Sequence, residues 1–215
     1  MPIKAFIFDC DGTLVDSEPL GFQAIGEALA AHGYRLPPGV DLIDLKGQRM
    51  ATSLAEIGRR IGRALPPDFE VVVRDQMARV FRACLRPIAG APETLAALRV
   101  PFCVASNGPR EKMELTLGLS GLLHHFEDRL FSAYEVGSWK PEPGLFLHAA
   151  DAMGVAPQHC AVVEDSVAGL RAGVAAGMRV YAFCPMEELP PELRPQVQPL
   201  VRLTDLLRAH LQPGD

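Results

Sequence analysis

Short apolar runs that break abruptly into small, acidic or hydroxyl residues recur along this chain. Ile3-Lys4-Ala5-Phe6-Ile7-Phe8 gives way to Asp9-Cys10-Asp11-Gly12-Thr13, Phe102-Cys103-Val104-Ala105 to Ser106-Asn107-Gly108-Pro109, and Cys160-Ala161-Val162-Val163 to Glu164-Asp165-Ser166. Such runs read as buried strands, and the polar breaks as loops at their ends. Residues 179–183 supply a fourth run. Between the runs lie helical patterns over Arg110–Leu119, 144–153 and 167–176, the last followed by Gly177 where a helix would stop. Strands alternating with helices predict a parallel sheet covered on both faces, an α/β fold of the doubly wound kind, with 196–215 as a closing strand and helix.

Residues 16–86 interrupt this alternation. Helical patterns at 22–32, 50–61 and 68–84, separated by Pro37-Pro38 and Pro66-Pro67, predict a helical insert between the first strand and the rest of the sheet. Ligands in open α/β sheets bind beyond the carboxyl ends of the strands. The polar breaks after three strands are therefore expected to converge on one site, with the insert covering it.

Composition limits the partners. With 215 residues, 48% of them hydrophobic, the chain can bury a sizeable core. A formal charge of -5 gives no general attraction for nucleic acid or an anionic membrane, so an anionic ligand must be held by local features. Residues 1–16 match neither a secretory signal nor a transit peptide, no transmembrane segment is evident, and a cytoplasmic address is expected. Cys10, Cys84, Cys103, Cys160 and Cys184 are odd in number and widely spaced, which suits reduced thiols better than a disulfide framework or a zinc site.

Asp9 and Asp11 at a strand end can divide the work on one phosphate: one carboxylate attacks phosphorus and the other moves protons. Gly12 permits the tight turn this needs. An Asp-x-Asp pair taken alone is more often an acidic loop, and the companion segments are what change the reading. Carboxylate and phosphate repel, so cations are required, and hard oxygen ligands at a phosphate site point to Mg²⁺. Glu164 and Asp165 can complete its coordination, Asp165 and Ser166 being also good caps for the next helix. Lys140, in Trp139-Lys140-Pro141-Glu142-Pro143, offers a rigidly presented positive charge, and Ser106-Asn107-Gly108 a hydroxyl and backbone N–H donors before a helix.

These four segments, in this order, resemble the four motifs of the haloacid dehalogenase superfamily: DxDGT followed by Asp16-Ser17, then Ser106-Asn107, then Lys140-Pro141-Glu142-Pro143, then Glu164-Asp165-Ser166 with Gly169, Ala172 and Gly173. The resemblance implies a Rossmann-like core at 1–15 and 87–215 and an inserted helical cap at 16–86 similar to that of the β-phosphoglucomutase-like subgroup. Ser106-Asn107-Gly108-Pro109, Leu130-Phe131-Ser132-Ala133-Tyr134, Trp139-Lys140-Pro141 and Asp165-Ser166-Val167-Ala168-Gly169 resemble its bacterial 6-phosphogluconate phosphatase branch. It further implies Asp9 as nucleophile, Asp11 as general acid/base with its backbone carbonyl on Mg²⁺, and Asp165 as metal ligand. Glu164 becomes a further or alternate ligand, Ser106 a phosphate donor and Lys140 the charge that orients Asp9.

The implied reaction is hydrolysis of a small phosphorylated metabolite, a sugar phosphate or phosphorylated sugar acid, by a monomer or homodimer. Dehalogenases of the superfamily lack the second aspartate. Its mutases carry a histidine where this chain has Gly21, and its phosphonate hydrolases use a cap lysine, for which only Lys46 is available. Lys46 and Arg49 lie in what resembles the cap's specificity loop and are expected to contact the substrate. A phospho-accepting receiver module is the alternative from another class, disfavoured because the acceptor follows the first strand and a large insert comes next. Cys10 is expected to point away from the aspartates, Trp139 to pack beside its loop, and His32, His124 and His125 to be solvated or capping residues.

Overall fold

A computed structural model describes residues 2–40 and 42–210. Its sheet has the strands β1 (Ala5–Phe8), β2 (Phe102–Ser106), β3 (Leu130–Ser132), β4 (Cys160–Glu164), β5 (Arg179–Ala182) and β6 (Gln198–Pro199), all parallel, in the order β3-β2-β1-β4-β5-β6. Every residue of β1, β2 and β4 is buried, which explains why these strands read as unbroken apolar runs. Phe8 pairs with both Val104 and Val163, so the residues following β1 lie between the ends of β2 and β4.

Alternation along the strands divides the core between two faces. Phe6, Phe8, Val104, Ala161 and Val163 face one cluster, which includes Met113 and Leu117 of α5 (Arg110–Leu119) in the numbering used below. Ala5, Ile7, Cys103, Ala105 and Val162 face the other, formed with residues of α7 (Gly144–Ala152) and α8 (Val167–Ala175). Gly173 of α8 is where helix and sheet approach most closely, since a Cβ there would lie 2.8 Å from Cγ2 of Val180 and 3.4 Å from Val162.

The insert carries α1 (Glu18–Ala31), α2 (Met50–Ile61) and α3 (Phe69–Cys84); α4 (Ala91–Ala97), α6 (Ala133–Val136) and α9 (Asp205–His210) complete the helices of the described residues. Its apolar centre continues the first cluster: Ile25, Leu29, Ile57, Phe69 and Val73 are buried, and Phe69 meets the Tyr34 and His32 rings edge to face. The chain leaves and re-enters the sheet unit through two adjacent extended segments. Val15 bridges Pro87, the Asp16 N–H donates to the Arg86 carbonyl at 3.0 Å, and the Ile88 N–H to that of Leu14 at 2.9 Å.

One expectation needs correction, and one strand was not anticipated. The first insert helix begins at Glu18, because Pro19 is accommodated in the first turn, where its missing N–H costs nothing. Strand β3 is only three residues long, too short to stand out as a periodic run. The closing strand and helix expected within 196–215 are present as β6, two exposed residues at the sheet edge, and α9, while residues 211–215 of that range lie outside the described residues. Among the described residues, no helix is long and apolar enough to cross a membrane.

Replacing Gly173 by Ala should push α8 off β4 and β5 and destabilise the fold by about 1–3 kcal/mol, as overpacked cores do. Urea denaturation would show it as a lower midpoint with an unchanged slope.

Candidate active site

The polar ends of β1, β2 and β4 meet where the pattern of runs placed them. Asp9 follows β1, its N–H held by the Val163 carbonyl at 3.0 Å. Lys140, buried in the loop before α7, sends its ammonium to Asp9 Oδ1 at 2.5 Å and Glu164 Oε1 at 2.7 Å. The other Glu164 oxygen accepts from the Ser166 backbone N–H and hydroxyl, at 2.7 and 2.9 Å, so this carboxylate is fixed at both ends. Gly169 makes room for it: a Cβ there would overlap Glu164 at 1.8 Å.

Asp165 accepts from the Thr13 hydroxyl at 3.2 Å through Oδ1. Its Oδ2 lies 2.5 Å from the Lys46 ammonium, at ion-pair distance but without hydrogen-bond alignment. Lys46 also pairs with Glu18 at 2.8 Å. Gly12 has φ +76°, and a Cβ there would come within 2.1 Å of Asp165 Oδ2, so both backbone conformation and close approach require glycine. Asp11 takes a separate set of partners, the Ser17 hydroxyl at 2.5 Å and the Lys112 ammonium at 2.8 Å.

Burial pushes the Asp9 carboxyl up to about 7; Lys140 opposes this, while Glu164 and Asp11 add to it. Asp165 is driven well above its ordinary range by burial and by the neighbouring charges of Glu164 and Asp9. Burial also tends to raise Asp11, but the Lys112 charge and hydrogen bonds from Lys112 and Ser17 outweigh it and the group lies below its usual value. For Lys140 burial favours the neutral amine, yet Asp9 and Glu164 win and the ammonium is stabilised.

The ion pairs of this cluster join three ammonium groups, Lys46, Lys112 and Lys140, to five carboxylates, Asp9, Asp11, Glu18, Glu164 and Asp165. With every group ionised, five negative charges less three positive leave a formal excess of two, and the raised values of Asp9 and Asp165 reflect that surplus. Oxygens of Asp9, Glu164 and Asp165 all lie within 4.8 Å of one another and can hold a metal ion. A hard divalent cation fits this all-carboxylate set in ligand type and in charge.

Residues 3–177 match the family described as haloacid dehalogenase-like hydrolase. The chain belongs to that family. It is 40% identical over 205 residues to the 6-phosphogluconate phosphatase of Escherichia coli K12, covering 95% of this chain and 93% of the relative. A haloacid dehalogenase family hydrolase of Deinococcus radiodurans, solved with phosphate and sodium, is 32% identical with a TM-score of 0.74, covering 99% of each chain. A candidate β-phosphoglucomutase of Thermotoga maritima shares the fold at 24% identity with a TM-score of 0.79, covering 97% of this chain and 100% of that one. Membership makes the chain an enzyme of the phosphatase type and removes the receiver-module alternative.

In this haloacid dehalogenase-like hydrolase, Asp9, Asp11, Ser106, Asn107, Gly108, Lys140, Glu164, Asp165 and Lys46 all line one cavity of about 130 Å³. Some are occupied otherwise than expected. Asn107 ties loops together, accepting from the Lys140 N–H at 2.9 Å and donating to the Gly47 carbonyl at 3.1 Å. The Gly108 N–H is bound by the Ser106 hydroxyl at 3.0 Å. The Asp11 side chain stands apart from the metal-type cluster, leaving only its backbone carbonyl for the expected metal role. Lys46, expected on the substrate, sits on Glu18 and Asp165. Arg49 is outside the cavity lining, with its guanidinium 4.6 Å from the Trp139 ring centroid and 6.0 Å from that of Tyr134, because the flat apolar face of Trp139 draws it there.

Lys112, Glu18 and Arg74 were missed, since a charged residue in an amphipathic helix looks solvated until the helix is placed. Cys10 is buried against the Thr116 hydroxyl at 3.7 Å, and burial raises its thiol far above the ordinary value, as suits a packing role.

Lys140→Ala would leave Asp9 and Glu164 facing each other without their shared cation, and should cost about 3–5 kcal/mol of stability in metal-free protein. Thermal unfolding should recover part of that loss when Mg²⁺ is added; no recovery would count against a cation site at these carboxylates.

Proposed function

We propose that this hydrolase is a Mg²⁺-dependent phosphatase acting through Asp9 on a small sugar phosphate or phosphorylated sugar acid, 6-phosphogluconate being the leading candidate. The observation that carries this reading is the Lys140–Asp9 contact on a cavity shared with Ser106 and the Asp9–Glu164–Asp165 cluster. The relative named 6-phosphogluconate phosphatase supports the choice of substrate.

Asp9 attacks phosphorus with one carboxylate oxygen, and the bond to the sugar oxygen breaks. Lys140 favours the ionised form of Asp9 against the effect of burial and aims it, and offsets charge on the transferring group. The departing alkoxide takes a proton from Asp11, which must first exchange its Lys112 contact for that proton as substrate binds. Water then attacks the aspartyl phosphate and gives its proton back to Asp11, releasing phosphate and restoring Asp9. Ser106 and backbone N–H groups of its loop hold the phosphoryl oxygens. Asp9, Glu164, Asp165 and the Asp11 carbonyl would hold Mg²⁺, which supplies charge neutralisation that lets two anions meet.

We infer that residues 16–86 act as a cap hinged at the paired segments around Val15 and Pro87. Lys46, Gly47, Arg49 and Arg74 all touch the sheet unit beside the cavity, an arrangement suited to excluding bulk water during transfer. A mutase is disfavoured by the sequence. Gly21 stands where the mutases carry histidine, so the side chain they use is missing.

Phosphate release from p-nitrophenyl phosphate and from 6-phosphogluconate should require Mg²⁺ and cease with a chelator. Asp9→Asn should lower kcat by about 10³-fold or more while circular dichroism stays native. Substantial turnover by that variant would remove Asp9 as nucleophile.

A further inference from the structure

The positive charges around the cavity serve two ends. Lys46, Lys112 and Lys140 are each ion-paired to carboxylates of the catalytic cluster. Arg74 of α3 also lines the cavity but stands outside that network. Its Nη2 and Nε bond Glu70 Oε1, one turn earlier on the same helix, at 2.6 and 3.0 Å. Nη2 also donates to the Tyr134 hydroxyl at 2.9 Å, and the guanidinium carbon lies 5.7 Å from that ring's centroid. The third nitrogen, Nη1, has no hydrogen-bond partner among the described residues.

We propose that Arg74 is a specificity-determining residue, binding a carboxylate on the part of the substrate remote from its phosphate. This rests on the phosphatase reading above and narrows its substrate class to phosphorylated sugar acids. A guanidinium presents a planar fork of donors that matches a carboxylate, and α3 and Tyr134 hold this one in place from both units. Neutral sugar hydroxyls have Gln48 and Ser53 on the same cavity wall and need no cation. A second phosphate is a poorer match. Glu70 already offsets the Arg74 charge, so the pair has no net positive charge to balance a dianion, and what it offers a ligand is the Nη1 donor edge, which a monoanion engages at less electrostatic cost. A substrate carboxylate in this cavity also faces the carboxylates of the catalytic cluster, and Arg74 is the lining cation that those carboxylates do not engage. Arg74 thus decides between an acid and the corresponding polyol.

The test compares 6-phosphogluconate with sorbitol 6-phosphate, which replaces the carboxylate by CH₂OH on the same carbon chain, and with a hexose bisphosphate, all with Mg²⁺. The wild-type enzyme should prefer the acid. Arg74→Gln should cut the acid-to-polyol ratio of kcat/KM by about tenfold or more, mostly through KM, with Arg74→Lys intermediate. Glu70→Gln, which keeps an acceptor but removes the competing charge, should raise that ratio by about two- to threefold. A role confined to holding the two units together predicts equal losses on both substrates in Arg74→Gln, and that result, or an unmoved ratio, overturns the proposal. So does a wild-type enzyme that prefers the bisphosphate, or one that handles acid and polyol alike, in which case the phosphatase reading survives. No phosphate release from any of the three would instead sink the phosphatase reading itself and the proposal with it.

Discussion

Burying an ammonium group between two carboxylates is costly unless every charge in the set finds a partner, and the Lys140 contacts to Asp9 and Glu164 impose that condition on everything around them. Glu164 is secured from its far side by Ser166, and Gly169 must stay without a side chain to leave it space. Asp9 is fixed by its backbone bond to Val163 on the adjacent strand. The parallel sheet makes this possible, because neighbouring strands end at one level and deliver side chains from residues 9, 106 and 164 to a single place. A loop-built site would lack that common frame.

The same condition explains why the site is completed by two units of the chain. The sheet unit alone gathers more negative than positive charge. The insert brings Lys46 onto Asp165, and Glu18 comes with it, so the cluster still has a formal surplus of two negative charges. A divalent cation is the species that balances such a set with hard oxygen donors, and a phosphate brought to it needs that balance as well. The insert's contacts with the strand ends therefore add their own charges to the cluster at the same place.

Within the insert, two arginines, one just before α2 and one inside α3, are engaged differently. Arg49 lies flat on Trp139 outside the cavity, where its contact joins insert and sheet unit. Arg74 lines the cavity, braced by Glu70 and Tyr134. A cation stacked on an aromatic face is already engaged, while one with an unengaged donor edge beside a cavity is available to a ligand.

The strand ends were legible in the sequence because a fully buried strand has no alternation, and its end is marked by the first carboxylate or hydroxyl; Asp9, Ser106 and Glu164 fall at these points. Asp11 and Asp165 were legible from adjacency, and Lys140 from the rigid loop around it. The short strand at Leu130–Ser132 was not, since three residues carry no period. Nor were the partners of Asp11, Asp165 and Asn107: Lys112, Lys46 and Gly47 lie some 100, 120 and 60 positions away, and local pattern holds no information on such distances. The sequence by itself determined the α/β alternation, the insert and the groups that meet at the strand ends, because hydrophobic period and loop chemistry are local properties. Only the tertiary structure decided which cation neutralises which carboxylate, and that Arg74 rather than Arg49 faces the cavity, because long flexible side chains are committed by what packs against them in space.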